Sequence, residues 1–211
     1  MIPEELQALM DELETEADRE RDPEQTPEVG IVMGSDSDLD VMMGTDERPG
    51  AYDALTALGF EELTDYDAPP DARFTFETYV VSAHRTPELM YTYASTAAAR
   101  GLDVVIAGAG GKSADLPNMT ASIAYPLPVI GVPVQEKSVD SVIGMPTGAP
   151  IVAVDAGKSY NAALSAVQML ARQHDVLRER LLELHAERRT AVARTSRALH
   201  ERGTPGFRER R

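Results

Sequence analysis

The sequence predicts an α/β protein in which a doubly wound parallel sheet forms the middle of a three-layer α/β/α domain. Five short runs in the central part of the chain are almost entirely apolar, which is typical of parallel strands covered on both faces. Segments with helical spacing separate several of these runs. Strands that alternate with helices need crossover connections, and such connections produce this fold class.

The predicted strands are VGIVM at 29–33, FETYVVS at 76–82, DVVIAG at 103–108, PVIGV at 128–132 and PIVAV at 150–154. A helix is predicted over 87–100, because Pro87 stands in its first turn and Gly101 is a typical helix stop. The segment 157–172, rich in alanine and leucine, predicts another helix. In doubly wound sheets ligands bind at the carboxyl ends of the strands, so we expect functional residues in the loops that follow them.

Two extensions flank this central part. Residues 1–28 carry eleven acidic side chains against two arginines, which predicts either a short amphipathic helix or a mobile acidic tail. Residues 174–211 have a helical pattern. Their apolar stripe consists of Val176, Leu177, Leu181, Leu182 and Leu184. We therefore divide the chain into an acidic extension at 1–28, an α/β domain at 29–173 and a C-terminal helical extension and tail at 174–211.

Composition excludes several classes of protein. The absence of cysteine excludes disulfides, thiolate nucleophiles and cysteine-ligated metals. A net charge of −15 argues against nucleic-acid binding, which needs a positive surface. No apolar run reaches the roughly 18 residues of a transmembrane helix, and the acidic N-terminus lacks a signal-peptide pattern. We therefore expect a cytoplasmic protein with no membrane partner.

Lysine is almost missing from the chain. Lys112, Lys137 and Lys158 are its lysines, whereas aspartate and glutamate total 35. An acidic, lysine-poor surface is typical of a protein that works in high salt, where mutual repulsion is screened. The alternative is an ordinary soluble acidic protein.

The loop after the first strand reads Gly34-Ser35-Asp36-Ser37-Asp38. A glycine lets the backbone approach a ligand, and serines with backbone amides at a helix start can hold a phosphate. A carboxylate suits ribose hydroxyls better than a phosphate. Serine and aspartate are also common helix N-caps, so a purely structural role stays open.

The loop after the second strand reads Ser82-Ala83-His84-Arg85-Thr86. A histidine followed by an arginine combines a proton-transfer group with an anion anchor. His84 is the only histidine in the predicted sheet domain. The structural alternative is a capping or otherwise satisfied polar side chain.

The loop after the third strand spans 108–119 and has three glycines in four residues, Gly108, Gly110 and Gly111. Glycines allow positive φ and close contact with a small planar ligand. The Gly-Lys-Ser at 111–113 is not a Walker loop, because the required spacing is missing. A flexible loop is the alternative. The element Gly131-Val132-Pro133-Val134-Gln135, at the end of the fourth strand, is a further candidate wall of the pocket.

Five motifs together resemble the PurE family, the mutases that convert 5-(carboxyamino)imidazole ribonucleotide to its 4-carboxy isomer in de novo purine biosynthesis. They are GSDSD, SAHRTPE, AGAGG…LPNM, LPVIGVPVQ and the MPTGAP segment at 145–150, in family order over about 29–171. The resemblance implies a flavodoxin-like fold and a homo-octamer. It also implies catalysis without a metal or organic cofactor, and an ATP-dependent carboxyaminoimidazole ribonucleotide synthetase as pathway partner.

The resemblance also implies residue roles. His84 would be the general acid/base, and Ser35, Ser37 and Arg85 would hold the substrate phosphate. Asp38 would bind the ribose hydroxyls. The further substrate-binding residues implied are Ser82, Gly110, Gly111, Lys112, Asp115 and Leu116.

Two departures from the family pattern stand out. Asp115 replaces a histidine of the third loop and Lys112 appears nearby, so we expect an ion pair between these two side chains. The segment 45–74, rich in aspartate, proline and glycine, is predicted to be an inserted surface loop. Two other functions stay open: direct carboxylation of aminoimidazole ribonucleotide with free carbon dioxide, and a non-catalytic nucleotide- or phosphate-binding module.

Overall fold

A computed structural model describes residues 2–22 and 25–208 of the chain. Its strands are β1 (Val29–Met33), β2 (Gly44–Thr45), β3 (Arg48–Pro49), β4 (Phe60–Glu62), β5 (Phe74–Val80), β6 (Val104–Ala109), β7 (Val129–Pro133) and β8 (Val152–Ala153). Its helices are α1 (Glu4–Asp18), α2 (Leu39–Met42), α3 (Ala51–Ala57), α4 (Pro87–Thr96), α5 (Leu116–Ile123), α6 (Val139–Ile143), α7 (Ser159–Leu170) and α8 (Asp175–Arg208).

Six strands form one sheet in the order β4-β5-β1-β6-β7-β8, and every neighbouring pair is parallel. All residues of β1, β6 and β7 are buried, so both faces of the sheet are covered. This burial is why these strands are continuous apolar runs rather than alternating patterns. The predicted doubly wound α/β class is confirmed, and all five predicted strands are present, with ends shifted by at most two residues.

Without β4, the strand order is second-first-third-fourth-fifth, which is the flavodoxin-like order. The order reverses between β1 and β6, so the loops after these two strands diverge to opposite faces. Ligands of such sheets bind in the crevice at this switch point. The topology therefore directs attention to the loops that begin at Gly34 and Gly110.

The segment 45–74 is not the surface loop that the sequence predicted. It contains the β2–β3 hairpin, helix α3 and the edge strand β4, which pairs with β5 from Phe60 to Glu62. Its apolar side chains are part of the core, since Leu55, Leu58 and Phe60 are at most 1% exposed. A strand of three residues, two of them glutamates, has no apolar run by which a pattern could detect it.

The acidic N-terminal segment forms helix α1, the first of the two predicted alternatives. Met10 and Leu13 are buried in a cluster with Leu89 and Tyr93 of α4. Burying these two apolar side chains stabilises the packed helix by several kcal/mol, on the order of 1.5–3 kcal/mol each. This gain explains why so acidic a segment is ordered. The described part of 1–28 thus packs on the α/β domain as one of its helices.

The chain divides into two compact units, Met1–Met169 and Leu170–Arg211. The second unit consists mainly of α8, whose helical backbone is interrupted at Gly203 (φ 67°, ψ 164°). The predicted domain boundaries stay a prediction. Within the described ranges, no helix is long and apolar enough to cross a membrane.

Candidate active site

Loops after four neighbouring strands enclose one cavity of about 340 Å³ at the carboxyl edge of the sheet. This volume lies within the range of small-molecule sites, roughly 300–1,000 Å³. Ten of the eleven predicted site residues line it: Ser35, Ser37, Asp38, Ser82, His84, Arg85, Gly110, Gly111, Asp115 and Leu116. The structure therefore brings together residues that are as far apart as 35 and 116 in the chain.

The loop after β1 forms a short 3-10 turn from Asp36 to Asp38. Ser35 is its N-cap, with extended backbone, and its hydroxyl accepts the N–H of Ser37 at 3.3 Å and donates to Asp36 at 2.9 Å. The structural role that the sequence left open is therefore real. It coexists with a position on the cavity wall, because the same serines line it.

The loop after β5 is held rigid by its own polar groups. The N–H of Ser82 donates to the Thr86 hydroxyl at 2.9 Å, and the N–H of Arg85 donates to the Ser82 hydroxyl at 3.2 Å. The guanidinium of Arg85 reaches across to the first loop and donates to the Gly34 carbonyl at 3.0 Å. Pro87 then starts α4. The hydrogen bond from Arg85 to the Gly34 carbonyl joins the second loop to the first and orients the guanidinium towards the serine turn.

Glycines in the loop after β6 make room for Asp38. A Cβ on Gly110 would lie 3.0 Å from the Asp38 Oδ1, and Gly111 has φ +86°, which favours glycine. Asp38 is 6% exposed, and this burial raises its pKa, although the Gly110 and Ser35 N–H groups and the charge of Arg85 oppose the rise. A buried carboxylate on the cavity wall, beside backbone amides, suits hydroxyl ligands.

His84 pairs with Asp115 across the cavity. The His84 Nε2 lies 3.1 Å from the Asp115 Oδ2, and both side chains keep much of their surface, 61% and 42% exposed. The second oxygen of Asp115 accepts the Ser141 hydroxyl at 3.2 Å. The imidazole is therefore oriented by one carboxylate while remaining open to a ligand.

The expected ion pair between Lys112 and Asp115 is not formed, because Asp115 pairs with His84 instead. Lys112 is exposed and is absent from the residues that line the cavity. The predicted contact of Lys112 with substrate stays a prediction.

Three polar lining residues complete the wall: Ser113, Gln135 and Lys137. Gln135 belongs to the element 131–135 that was predicted as a wall and Ser113 to the predicted third loop, whereas Lys137 was not predicted. Lys137 lies in the 3-10 turn after β7, where a fourth loop reaches the same edge. The sequence could have indicated Lys137, because the chain has only three lysines and this one follows closely after a core strand.

The cavity thus combines two cations, a titratable imidazole, serine hydroxyls and a buried carboxylate. Cations with hydroxyls and amides bind an anion such as a phosphate, the carboxylate suits a sugar, and the imidazole transfers protons near neutral pH. In the ranges that the structure describes, no group of three or more histidine, aspartate or glutamate side chains forms a metal cluster.

The fold and the site together define a flavodoxin-like α/β protein with a polar ligand cavity at its topological switch point. The chain belongs to the AIR carboxylase family, whose model matches residues 28–191. The match includes the four strands β1, β5, β6 and β7 and the loops after them that form the cavity.

Known relatives agree with this assignment. The N5-carboxyaminoimidazole ribonucleotide mutase of Mycobacterium tuberculosis is 46% identical over 162 residues, which cover 74% of this chain and 80% of that protein. The phosphoribosylaminoimidazole carboxylase of Schizosaccharomyces pombe is 45% identical over 72% of this chain but only 24% of its own length. The crystal structure of Treponema denticola PurE superposes with a TM-score of 0.63 over 82% of this chain and 98% of that one, at 19% identity, and supports the fold alone.

Proposed function

We propose that this protein is an isomerase of de novo purine biosynthesis that converts 5-(carboxyamino)imidazole ribonucleotide to 5-amino-4-imidazolecarboxylate ribonucleotide. The single observation that carries the proposal is the meeting of His84, Arg85 and the serine turn of the first loop around one cavity. This is the set of groups that a phosphorylated ribonucleotide and a proton shift require. Family membership and 46% identity to a mutase support it.

Each cavity residue has a role in this proposal. Ser35, Ser37 and Arg85 hold the phosphate, because they supply hydroxyls and a fixed guanidinium in adjoining loops. Asp38 accepts the ribose hydroxyls. His84 is the acid and base. Four other predicted residues on the cavity wall surround the imidazole ring of the substrate, and Asp115 lies beside His84. The four are Ser82, Gly110, Gly111 and Leu116.

The reaction needs one group that first gives and then takes a proton. The imidazolium of His84 protonates the carbamate nitrogen, and the bond from nitrogen to the carboxylate carbon breaks with its electron pair left on nitrogen. Carbon dioxide is released beside aminoimidazole ribonucleotide, whose amino group is uncharged. The ring carbon then bonds to the trapped carbon dioxide, and His84 removes the proton from that carbon. Product and substrate contain the same atoms, and the imidazolium is restored. Holding carbon dioxide beside the ring makes the second step effectively intramolecular.

The direct carboxylase reaction is the nearest alternative. Identity does not separate the two names, since the mutase and carboxylase relatives are 46% and 45% identical. Coverage favours the mutase, because this chain spans 80% of that relative but 24% of the carboxylase.

The test is a paired assay of the purified protein with carbamate substrate and with aminoimidazole ribonucleotide plus bicarbonate. We expect rapid turnover of the carbamate at low bicarbonate. Faster turnover of aminoimidazole ribonucleotide, rising with bicarbonate, would instead establish the carboxylase. A protein that binds either nucleotide without turning it over would be a non-catalytic binding module, and His84 argues against this because binding alone needs no titrating group.

Three properties of the molecule belong to the same proposal: a homo-octamer, a cytoplasmic location, and a pathway partner that makes the carbamate with ATP. Large apolar side chains that are exposed in the single chain support assembly, among them Tyr91 at 60% and Tyr125 at 69%. Such surface is costly in water and is commonly covered by association. Sedimentation of the purified protein tests this directly, and a monomer at micromolar concentration would contradict it.

We also propose that the protein is adapted to high salt. Its net charge of −15 destabilises the compact state through self-repulsion that salt screens. Thermal unfolding in increasing potassium chloride should show a midpoint that rises up to molar salt. A midpoint that is flat or falls beyond about 0.15 M, where the Debye length is already about 8 Å, would identify an ordinary acidic protein.

A further inference from the structure

Asp115 occupies a helix-capping position without acting as a cap. It is the N-cap of α5, yet its side chain accepts no N–H of that helix. Aspartate at an N-cap normally accepts from the second or third helical N–H, which is worth about 1 kcal/mol. Here one oxygen faces the His84 Nε2 at 3.1 Å and the other accepts the Ser141 hydroxyl at 3.2 Å. The carboxylate therefore makes both of these contacts outside α5, whose second residue, Pro117, has no N–H to donate.

Ser141, which donates to Asp115, is itself held in place by a second hydrogen bond. The Asn118 side-chain amide donates to the Ser141 carbonyl at 2.6 Å and so joins α5 to α6. Ser141 is therefore held by its backbone while its hydroxyl holds the Asp115 carboxylate. His84 and Asp115 lie in the loops after β5 and β6, and Ser141 lies in α6, which follows β7, so three separate crossovers meet at one imidazole.

We propose that Asp115 is a positioning residue for His84 rather than a ligand of the substrate. It keeps the proton of the neutral imidazole on Nε2, so that Nδ1 gives the proton to the carbamate nitrogen and later takes it from the ring carbon. It also stabilises the imidazolium that forms in the second step. Ser141 keeps Asp115 in place. This inference rests on the proposed function of the same cavity.

The other charged side chains around the cavity do not serve this role. Asp38 lies on the turn after β1, Arg85 on the same loop as His84, and Lys137 on the turn after β7. Across the described residues, His84 forms its ion pair with Asp115 alone. A change in the pH dependence of turnover on losing Asp115 can therefore be assigned to this pair.

The test compares Asp115→Asn with Asp115→Glu and with Asp140→Asn, a matched control that removes an exposed carboxylate next to Ser141. An amide can donate towards the imidazole and so favour the wrong tautomer. We expect Asp115→Asn to lower kcat roughly 100-fold with little change in KM, as for other residues that orient a catalytic imidazole. The alkaline limb of the kcat/KM profile, on which the free enzyme loses the His84 imidazolium, should move to lower pH, because the neighbouring negative charge that stabilises the imidazolium is gone. Asp115→Glu should recover part of kcat, Ser141→Ala should lose several-fold, and Asp140→Asn should match the wild type.

A readout independent of activity separates this inference from the proposed function. The chain has four histidines, so the His84 imidazole ¹⁵N signals are assigned by their loss in His84→Asn. We expect the free wild-type protein to show the Nε2–H tautomer and Asp115→Asn to lose that preference. A wild-type Nδ1–H tautomer overturns the inference, as does a rise in KM at unchanged kcat, which would make Asp115 a substrate ligand. If the tautomer is as expected but the wild type turns over neither ribonucleotide, the proposed function fails and the pairing stands.

Discussion

Two pairs of oppositely charged side chains involve β5 or its loop, and they differ in how far they are exposed to solvent. Arg100 and Glu77 are 0% and 2% exposed, with the guanidinium Nη1 2.5 Å from the carboxylate. His84 and Asp115 are 61% and 42% exposed, at 3.1 Å. The first pair lies inside the protein next to α4, and the second lies at the carboxyl edge of the sheet. Strand β5 and its loop therefore carry both a buried structural charge, Glu77, and a side chain that a ligand can reach, His84.

The buried pair has nearly all its hydrogen-bonding groups satisfied. Arg100 also donates to the Tyr66 hydroxyl at 2.7 Å and to the Tyr93 carbonyl at 3.3 Å, and Tyr66 in turn donates to Glu77. Burial is the largest single influence and would lower the pKa of Arg100, but the interactions with Glu77, Tyr93 and Tyr66 together outweigh it and the pKa is raised. The buried network is closed to solvent, whereas the His84–Asp115 pair is open to a ligand.

Breaking the buried pair should have the largest effect on stability. Arg100→Met leaves the Glu77 carboxylate buried without its cation, which costs on the order of 3–5 kcal/mol in the free energy of unfolding. Chemical denaturation measures this change. Turnover per folded molecule should remain close to that of the wild type, because the cavity is separate.

The double variant Glu77→Leu with Arg100→Met sharpens this test. Replacing both charges by apolar groups removes the isolated buried charge, so the double variant should be more stable than Arg100→Met alone. Equal or lower stability would show that the Tyr66 and Tyr93 contacts, rather than the ion pair, dominate this network.

Glu28 is a buried carboxylate with a weaker partner, and it should make stability depend on pH. Its cation Arg73 is 3.6 Å away, and burial raises the pKa of Glu28 from 4.5 to about 7. The folded state therefore binds a proton that the unfolded state has released, so the free energy of unfolding falls as the pH rises from about 4.5 through about 7.

Glu28→Gln tests that dependence. The decline in stability between acidic and neutral pH should be smaller than in the wild type by on the order of 2–3 kcal/mol. Glu61→Gln, which removes an exposed carboxylate on β4, is the matched control and should keep the wild-type slope. Equal slopes for Glu28→Gln and wild type would mean that Glu28 is ionised in the folded protein throughout this range.

Lys137 should produce the smallest effect, on binding alone. If it contributes charge to the anion site, Lys137→Gln should raise KM about tenfold, which corresponds to about 1.4 kcal/mol, and leave kcat unchanged. Lys158→Gln removes an exposed lysine that does not line the cavity and should change neither constant. An unaltered KM in Lys137→Gln would show that the charge of Lys137 does not contribute to substrate binding.

The same comparison explains what the sequence could predict. Continuous apolar runs fix β1, β5, β6 and β7, and the polar loops after them follow from the topology, so the cavity could be assembled from letters alone. The pairing of Asp115 could not, because Ser141 and His84 are distant in the chain and Lys112 was the nearer cation. Strand β4 was missed since Phe60 is its one apolar residue. Periodicity detects strands through burial, whereas partner choice depends on how separate loops meet.

The measurement that tests the account most directly is the turnover of carbamate substrate by His84→Asn, with His185→Asn of α8 as the matched control. Loss of a general acid and base should lower kcat by roughly 10²–10⁴-fold, while the nucleotide still binds through the first and second loops. The control should keep wild-type turnover. Full turnover by His84→Asn would contradict the account, because no other imidazole lines the cavity among the described residues.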